Sequence, residues 1–271
     1  MESFIEFTAK NSHEITRIRR EAVRLNQVRD SFPIAWKNDR SKFSNIEFKG
    51  YQSGQKPSAV SGLPRLYYDR NKPFTEKVPF YNFYRDTLTV DRPMAYLIPQ
   101  GWWKVIERLR ANKVRMMPLQ KDTTIMVEWY AIEGYESAAR PYEGHHPNSK
   151  TRVVKKHSAI SFRKGDFFIP LNQRANRFLV ETLEPHAEDS YFTWNFFDPV
   201  LGQKEGFSSY VFEETAAAYL TDQPDVLAAL EQRRATDSTF NRNAYAQLNF
   251  VYRNSRYFEP AYLRYPVYRV K

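Results

Sequence analysis

The residues best suited to chemistry in this sequence lie in one short run, Arg140-Pro141-Tyr142-Glu143-Gly144-His145-His146. Glu143, His145 and His146 are of the types that bind metal ions or polar ligands, and Arg140 and Tyr142 add a cation and a hydroxyl beside them. Two readings compete for the run. It is either a ligand-binding loop or a plain connection between strands, with Glu143 paired to Arg140 and both histidines in water. The remaining histidines, His13, His157 and His186, have no Glu three positions on, and the chain contains no His-Glu-x-x-His. Zinc hydrolases depend on such fixed steps, which put two ligands on one face of a helix. No metal ligand and no catalytic residue is therefore assigned.

Carboxylate pairs occur at Glu181/Glu184, Glu188/Asp189 and Glu213/Glu214. Acid–base catalysis needs two carboxyl groups held in different environments at a set separation. Spacing along a chain does not show that separation, and these pairs read as solvated faces. Gly-x-Ser-x-Gly, a phosphate-binding Gly-Lys-Ser/Thr loop and Gly-x-Gly-x-x-Gly are all absent, in keeping with only 9 glycines in 271 residues. The stretch from Glu184 to Asp198 joins Tyr191, Phe192, Trp194, Phe196 and Phe197 to polar groups. It reads either as a core hinge or as an aromatic cleft for a peptide or glycan, with Trp194 as its candidate contact.

The elements that must position these groups follow from periodicity. Ile15, Ile18, Ala22, Leu25 and Val28 form a stripe at helical spacing, so the first thirty residues read as one amphipathic helix that stops before Pro33. Residues 31–93 are rich in Pro, Gly and aromatics and read as an extended, irregular linker that wraps another surface. Ala95–Ile98, a helix over 102–111 and Val114–Leu119 suggest a strand–helix–strand crossover between parallel strands. Strands are expected over 123–132, 151–162 and 167–169. Asn172 is the expected cap of the next helix, and helices follow over 207–220, after Pro224, after Asp237 and over 244–254. The expected fold is α+β, with an N-terminal helix, a mixed central sheet and a helical C-terminal third. The expected organisation is 1–30, 31–93 and 94–271.

Composition narrows the function classes. The formal charge is +10, but acids are interleaved with the bases throughout, so no basic stripe marks a nucleic-acid binder. The chain has no cysteine, which excludes disulfides, thiolate chemistry and Cys-based zinc sites. No apolar run is long enough to span a bilayer, and the opening Met1–Glu6 does not read as a signal peptide.

Several runs together resemble large bacterial zinc carboxypeptidases related to carboxypeptidase A. They are Pro93 to Leu109, Arg140 to His145, Asn172 to Arg177, Leu183-Glu184-Pro185, Asp189-Ser190 with Trp194 to Asp198, Tyr252 to Ser255, and Arg264 to Arg269. The matching region is the one that follows the peptidase domain, and Glu2–Asp30 resembles that domain's closing helix. The resemblance implies an accessory C-terminal region without catalytic residues of its own. It places the zinc in the parent's peptidase domain and no cofactor in this chain. It also implies an upstream peptidase domain as partner, a possible peptide substrate, and a periplasmic or secreted parent. A binding module for an anionic or cell-wall glycan or peptide ligand is the alternative, prompted by the charge and the Tyr/Trp content. An independent hydrolase using the 140–146 loop is the third reading.

Overall fold

A computed structural model describes all 271 residues, and the chain folds into two compact units. One comprises Met1–Asp30 with Arg92–Lys271; the other is Ser31–Asp91. The class is α+β. No helix is long and apolar enough to cross a membrane.

The first unit is built on a six-stranded sheet. Its strands are β5 (Ala95–Ile98), β6 (Met117–Pro118), β7 (Thr123–Ser137), β8 (Asn148–Phe162), β9 (Phe167–Pro170) and β10 (Tyr268–Val270), numbered after the four strands of the other unit. Their order across the sheet is β6-β9-β5-β10-β7-β8, and every neighbouring pair is antiparallel. The expected crossover through α3 (Trp103–Ala111) exists, but its strands are not adjacent. β5 and β6 both run antiparallel to β9, which lies between them, so they are parallel only across it. The last element of the chain, β10, sits between β5 and β7. Three residues thus complete the middle of a sheet whose other strands precede them by about a hundred residues or more.

Leu97, Val127, Phe162 and Tyr268 form a buried cluster on this sheet. A separate helical core joins α5 (Ser209–Asp222), α6 (Pro224–Thr236), α7 (Ser238–Asn241) and α8 (Ala244–Arg253) through Phe212, Leu230, Phe240 and Tyr252. The cap expected at Asp237 is present. Its carboxylate accepts from the backbone N–H of Thr239 at 3.0 Å and of Phe240 at 2.9 Å. Asn172 is not the cap of α4 (Asn176–Leu183), which begins on Ala175 with no side-chain cap. Asn176 instead turns its own amide back, accepting from Gln173 N–H at 3.0 Å and donating to the Leu171 carbonyl at 2.9 Å.

The N-terminal segment is two helices, α1 (Glu2–Lys10) and α2 (Ser12–Val28), rather than one. Asn11 ends α1: its N–H and its side-chain amide both donate to the Phe7 carbonyl, at 3.0 and 2.8 Å. Neither helix buries a single residue. The C-terminal end of α2 is tied down by polar contacts. Asn176 Nδ2 donates to the Asn26 carbonyl at 3.1 Å, and Arg92 Nη1 donates to that of Gln27 at 3.0 Å.

The second unit corrects the expectation of an irregular linker over 31–93. It is regular β-structure: β1 (Ser31–Asn38) pairs with β4 (Tyr84–Asp91), and β2 (Ser44–Pro57) with β3 (Pro64–Phe80), both antiparallel. Phe32, Ile34 and Val90 are buried, whereas β2 and β3 have no buried residue. A two-stranded ribbon with solvent on both faces has no inside to mark with alternating hydrophobicity. Its sequence therefore lacks the period of two by which strands are read.

Candidate functional site

The site is assembled by three segments of the first unit. The first is the turn at the end of the β7–β8 hairpin. Beyond the last ladder pair, Ser137 with Asn148, Ala138 N–H donates to the Pro147 carbonyl at 3.0 Å. Tyr142 and His145 then exchange backbone hydrogen bonds at 2.8 and 2.9 Å. The two residues between them, Glu143 (φ 49°) and Gly144 (φ 79°), both have left-handed backbones, as a tight two-residue hairpin turn requires. The turn fixes the fate of the candidates. Glu143 is an exposed turn residue and forms no ion pair with Arg140, which is also exposed. His146 is exposed, with Nδ1 2.8 Å from the Ala138 carbonyl. Tyr142 and His145 face the second segment.

That segment is the aromatic loop after α4. Phe192 and Phe197 are fully buried, stacked edge-on against Tyr265 at 6.0 and 5.1 Å. Trp194 and Phe196, between them, stay partly exposed. Tyr191, Phe192 and Phe197 are thus buried in the core, while Trp194 and Phe196 line a cleft. Trp194 contacts Tyr142 (6.1 Å) and His145 edge-on (5.6 Å), and His145 stacks on Phe196 (6.1 Å). Asn195 bridges the two loops from a left-handed backbone (φ 64°), donating to the His146 carbonyl at 2.9 Å and to Asp198 Oδ2 at 3.0 Å. Asn148 is buried beneath them. It donates to the Phe192 carbonyl at 3.1 Å and to Asp198 Oδ1 at 3.0 Å, which ties the hairpin to the loop.

The third segment is the start of α3. Val105, Ile106 and Leu109 bury one face of this helix, which leaves Trp103, Lys104 and Arg108 outward. Trp102 turns inward and meets Phe197 edge-on at 5.0 Å. The Arg108 guanidinium sits over Phe196, 4.3 Å from the ring centre, and donates to the Lys104 carbonyl at 3.0 Å. Burial pushes the Tyr191 hydroxyl, behind Phe196, up to about 12, against an opposing pull from Arg108.

Together these segments enclose a cleft of about 620 Å³. Its walls include the rings of Trp103, His145, Trp194 and Phe196 and the cations of Lys104 and Arg108; Glu107 is the one acid lining it. His145 and Trp194, expected as contacts, meet here, and Tyr142 supports Trp194 from behind. Arg140, Glu143 and His146 do not line it. Lys104 and Arg108 were missed by reading the sequence for metal and nucleophile motifs. Their signal was two cations one helical turn apart on the polar side of a helix that opens with two tryptophans.

The structure corrects one further expectation. Glu184 is not part of a solvated face but is completely buried. Tyr96 donates to its Oε1 at 2.6 Å, Tyr130 donates to its Oε2 at 2.8 Å, and Arg269 pairs with it. Arg269 also contacts buried Glu128, at 2.7 Å. Lys271 (2.9 Å), His157 (3.4 Å) and Lys155 (3.5 Å) surround the same carboxylate. Burial pushes Glu128 up, but Lys271, Arg269 and Lys155 together hold it below its ordinary value. Glu128, Glu184 and Arg269 are buried, whereas Lys155, His157 and Lys271 approach from the exposed side. No group of three or more His, Asp or Glu side chains is placed to hold a metal ion.

Comparison with known proteins returns no matching family model, no similar curated protein and no similar solved structure.

Proposed function

We propose that this chain is an accessory region of a zinc metallocarboxypeptidase, acting on its peptidase domain by packing and by shaping access rather than by chemistry. One observation carries the reading. α1 and α2 bury none of their residues, although both display apolar side chains: Phe4, Ile5 and Phe7 on the first, Ile15, Ile18, Leu25 and Val28 on the second. An amphipathic helix folds by covering its apolar stripe, and a stripe left open on a folded protein marks a surface for a partner. The same segment, Glu2–Asp30, resembles the closing helix of the peptidase domain, which supports that domain as the occupant.

The hydrolysis of C-terminal peptide residues, the zinc and the periplasmic or secreted setting belong in this proposal to the parent. Elemental analysis of the purified chain beside a carboxypeptidase assay tests the absence of chemistry. The expected result is no zinc and no turnover. One zinc per chain with turnover overturns the proposal. Docking is tested by mixing the chain with the zinc carboxypeptidase domain of the same polypeptide and following co-elution. Ile15→Glu with Ile18→Glu is expected to abolish co-elution. Undiminished co-elution of that variant would remove the helices from the interface.

A further inference from the structure

We infer that the cleft between α2, the turn after α3 and the segment leading into α4 binds the diphosphate group of a phosphorylated ligand. The site lies to one side of the apolar stripe of α2 and stands whether or not a partner domain covers that stripe.

The charges come first. Arg19, Lys113, Arg115 and Arg174 line one cleft of about 830 Å³, and no acid lines it. Elsewhere in the chain 31 acids are interleaved with 41 bases, so four cations gathered without a carboxylate stand apart. None of the four is ion-paired within the chain. The Arg115 guanidinium donates to the Asn172 carbonyl at 3.5 Å and to its side-chain oxygen, both uncharged. Like charges in a concave site focus their field on the space between them, which favours an anion there. A phosphoryl group carries about −1.5 to −2 at neutral pH, so two of them match four cations. A lone carboxylate would leave three cations unmatched. Guanidinium forks also suit phosphoryl oxygens, which they grip with paired N–H donors.

The scaffold comes second. Arg19, Val23 and Gln27 recur at steps of four and present one face of α2 to the cleft. Gln173 is buried and clamps the backbone of Arg115 from the neighbouring segment. Its side chain accepts from the Arg115 N–H at 2.8 Å and donates to the Arg115 and Pro170 carbonyls at 3.1 and 2.7 Å. The backbones that carry Arg115 and Arg174 are thus fixed before any ligand arrives.

Lys113 supplies the third argument. Past the end of α3, Val114 N–H donates to the Leu109 carbonyl at 3.0 Å and Lys113 N–H to that of Arg110 at 2.9 Å, the paired bonds of a Schellman turn. Lys113, with φ 57°, fills the left-handed position that glycine ordinarily takes. For the turn itself lysine is the poorer choice, and what it adds is a cation on the cleft.

A nucleic acid or an acidic protein also offers negative charge, but either calls for cations running on over an extended surface. These four converge on one concavity, whose volume lies in the range of roughly 300–1,000 Å³ typical of small-ligand sites.

The test is calorimetric titration of the whole chain at low salt with inorganic pyrophosphate, inorganic phosphate and citrate. Pyrophosphate is expected to bind about tenfold or more tighter than either, as one further charge-assisted hydrogen bond implies. Lys113→Gly is expected to weaken pyrophosphate by about tenfold while the melting temperature holds or rises, because glycine suits the left-handed turn. Arg174→Met, at an exposed position, is expected to weaken it to a similar extent. ADP and a prenyl diphosphate in phosphatidylcholine vesicles carry the same group on a soluble and on a membrane-borne body, and the one that displaces pyrophosphate names the source. Equal binding of the three anions, a preference for citrate, pyrophosphate affinity unchanged in both variants, no binding of any anion, or failure of both diphosphates to displace pyrophosphate would each overturn the assignment.

Discussion

Arginine meets an aromatic ring in two regions of this molecule under opposite conditions. In the sheet, the Arg269 guanidinium stands 5.8 Å from the Tyr130 ring and is 1% exposed. It is paired with Glu128 and Glu184 and bonded to the Tyr130 hydroxyl at 3.1 Å. In the cleft, Arg108 lies 4.3 Å over Phe196, open to water, with one backbone carbonyl as its polar partner. A buried charge must be fully compensated where it stands, so its neighbours leave nothing for a ligand. A solvated charge can keep spare donors at no such cost. Burial and pairing, rather than residue type, separate the arginine that holds the fold from the one that can take a ligand.

The largest effect that would sharpen this contrast comes from Arg269→Met. It leaves Glu128 and Glu184 buried without their shared guanidinium, and breaking such a pair costs about 3–5 kcal/mol. Urea denaturation measures it. Arg108→Met should stay within about 0.5 kcal/mol of the parent, as exposed substitutions do. Similar losses for the two variants would break the comparison. Adding Glu184→Gln to Arg269→Met should recover part of the loss, because it removes the stranded charge.

Tyr96→Phe is expected to cost less, about 1–3 kcal/mol, since it removes the 2.6 Å donation to Glu184 Oε1 and leaves that oxygen short of a partner. A neutral result in the same denaturation experiment would mean that Arg269 alone satisfies Glu184 Oε1.

The pH profile ranks next. Glu128 is held below its ordinary value of 4.5, mainly by Lys271 and Arg269 against burial. Its contribution is therefore complete above pH 4.5 and is lost as pH falls through the lower folded value. His186 is also depressed, by burial, from 6.5, so it too stabilises the fold above that pH and less below it. At the alkaline end burial raises Tyr96 and Tyr265 above 10.0, so their contribution is complete below pH 10 and declines as pH rises further. Melting temperature should be highest between about pH 6.5 and 10 and fall on both sides. Glu128→Gln should flatten the fall below pH 4.5 specifically. An acid limb of unchanged slope would remove Glu128 from the account.

What the sequence disclosed divides along the same line. The Asp237 cap was legible because its partners are two and three residues away. The meeting of His145 with Trp194 was half legible: His145 was suspected as a contact in a polar loop and Trp194 in an aromatic cleft, but nothing in the sequence joined the two. The turn position of Glu143 was hidden, because a left-handed turn position carries no mark in a lone Glu. The burial of Glu184 was invisible, since its partners Arg269 and Tyr130 are 85 and 54 residues distant. The placement of β10 was invisible for the same reason, as three residues carry no period. The ribbon was hidden by having no buried face. Local hydrogen bonds and one-sided burial write themselves into sequence; long-range charge pairing and two-sided exposure do not.

The smallest effect concerns α2, and its smallness is what matters. Ile18 and Leu25 carry 53% and 48% of their full exposure, and no residue of α2 is buried. Ile18→Ser with Leu25→Ser should therefore shift the stability of the chain by no more than about 0.5 kcal/mol each, mostly through helix propensity. A loss near the 2–5 kcal/mol expected of a truncated core residue would mean that the stripe already has a partner within the chain. A near-zero shift leaves the apolar stripe without any role in folding this chain. Such a stripe is maintained against its tendency to aggregate only if another surface covers it. The double variant thus separates a helix that belongs to this fold from one held ready for another.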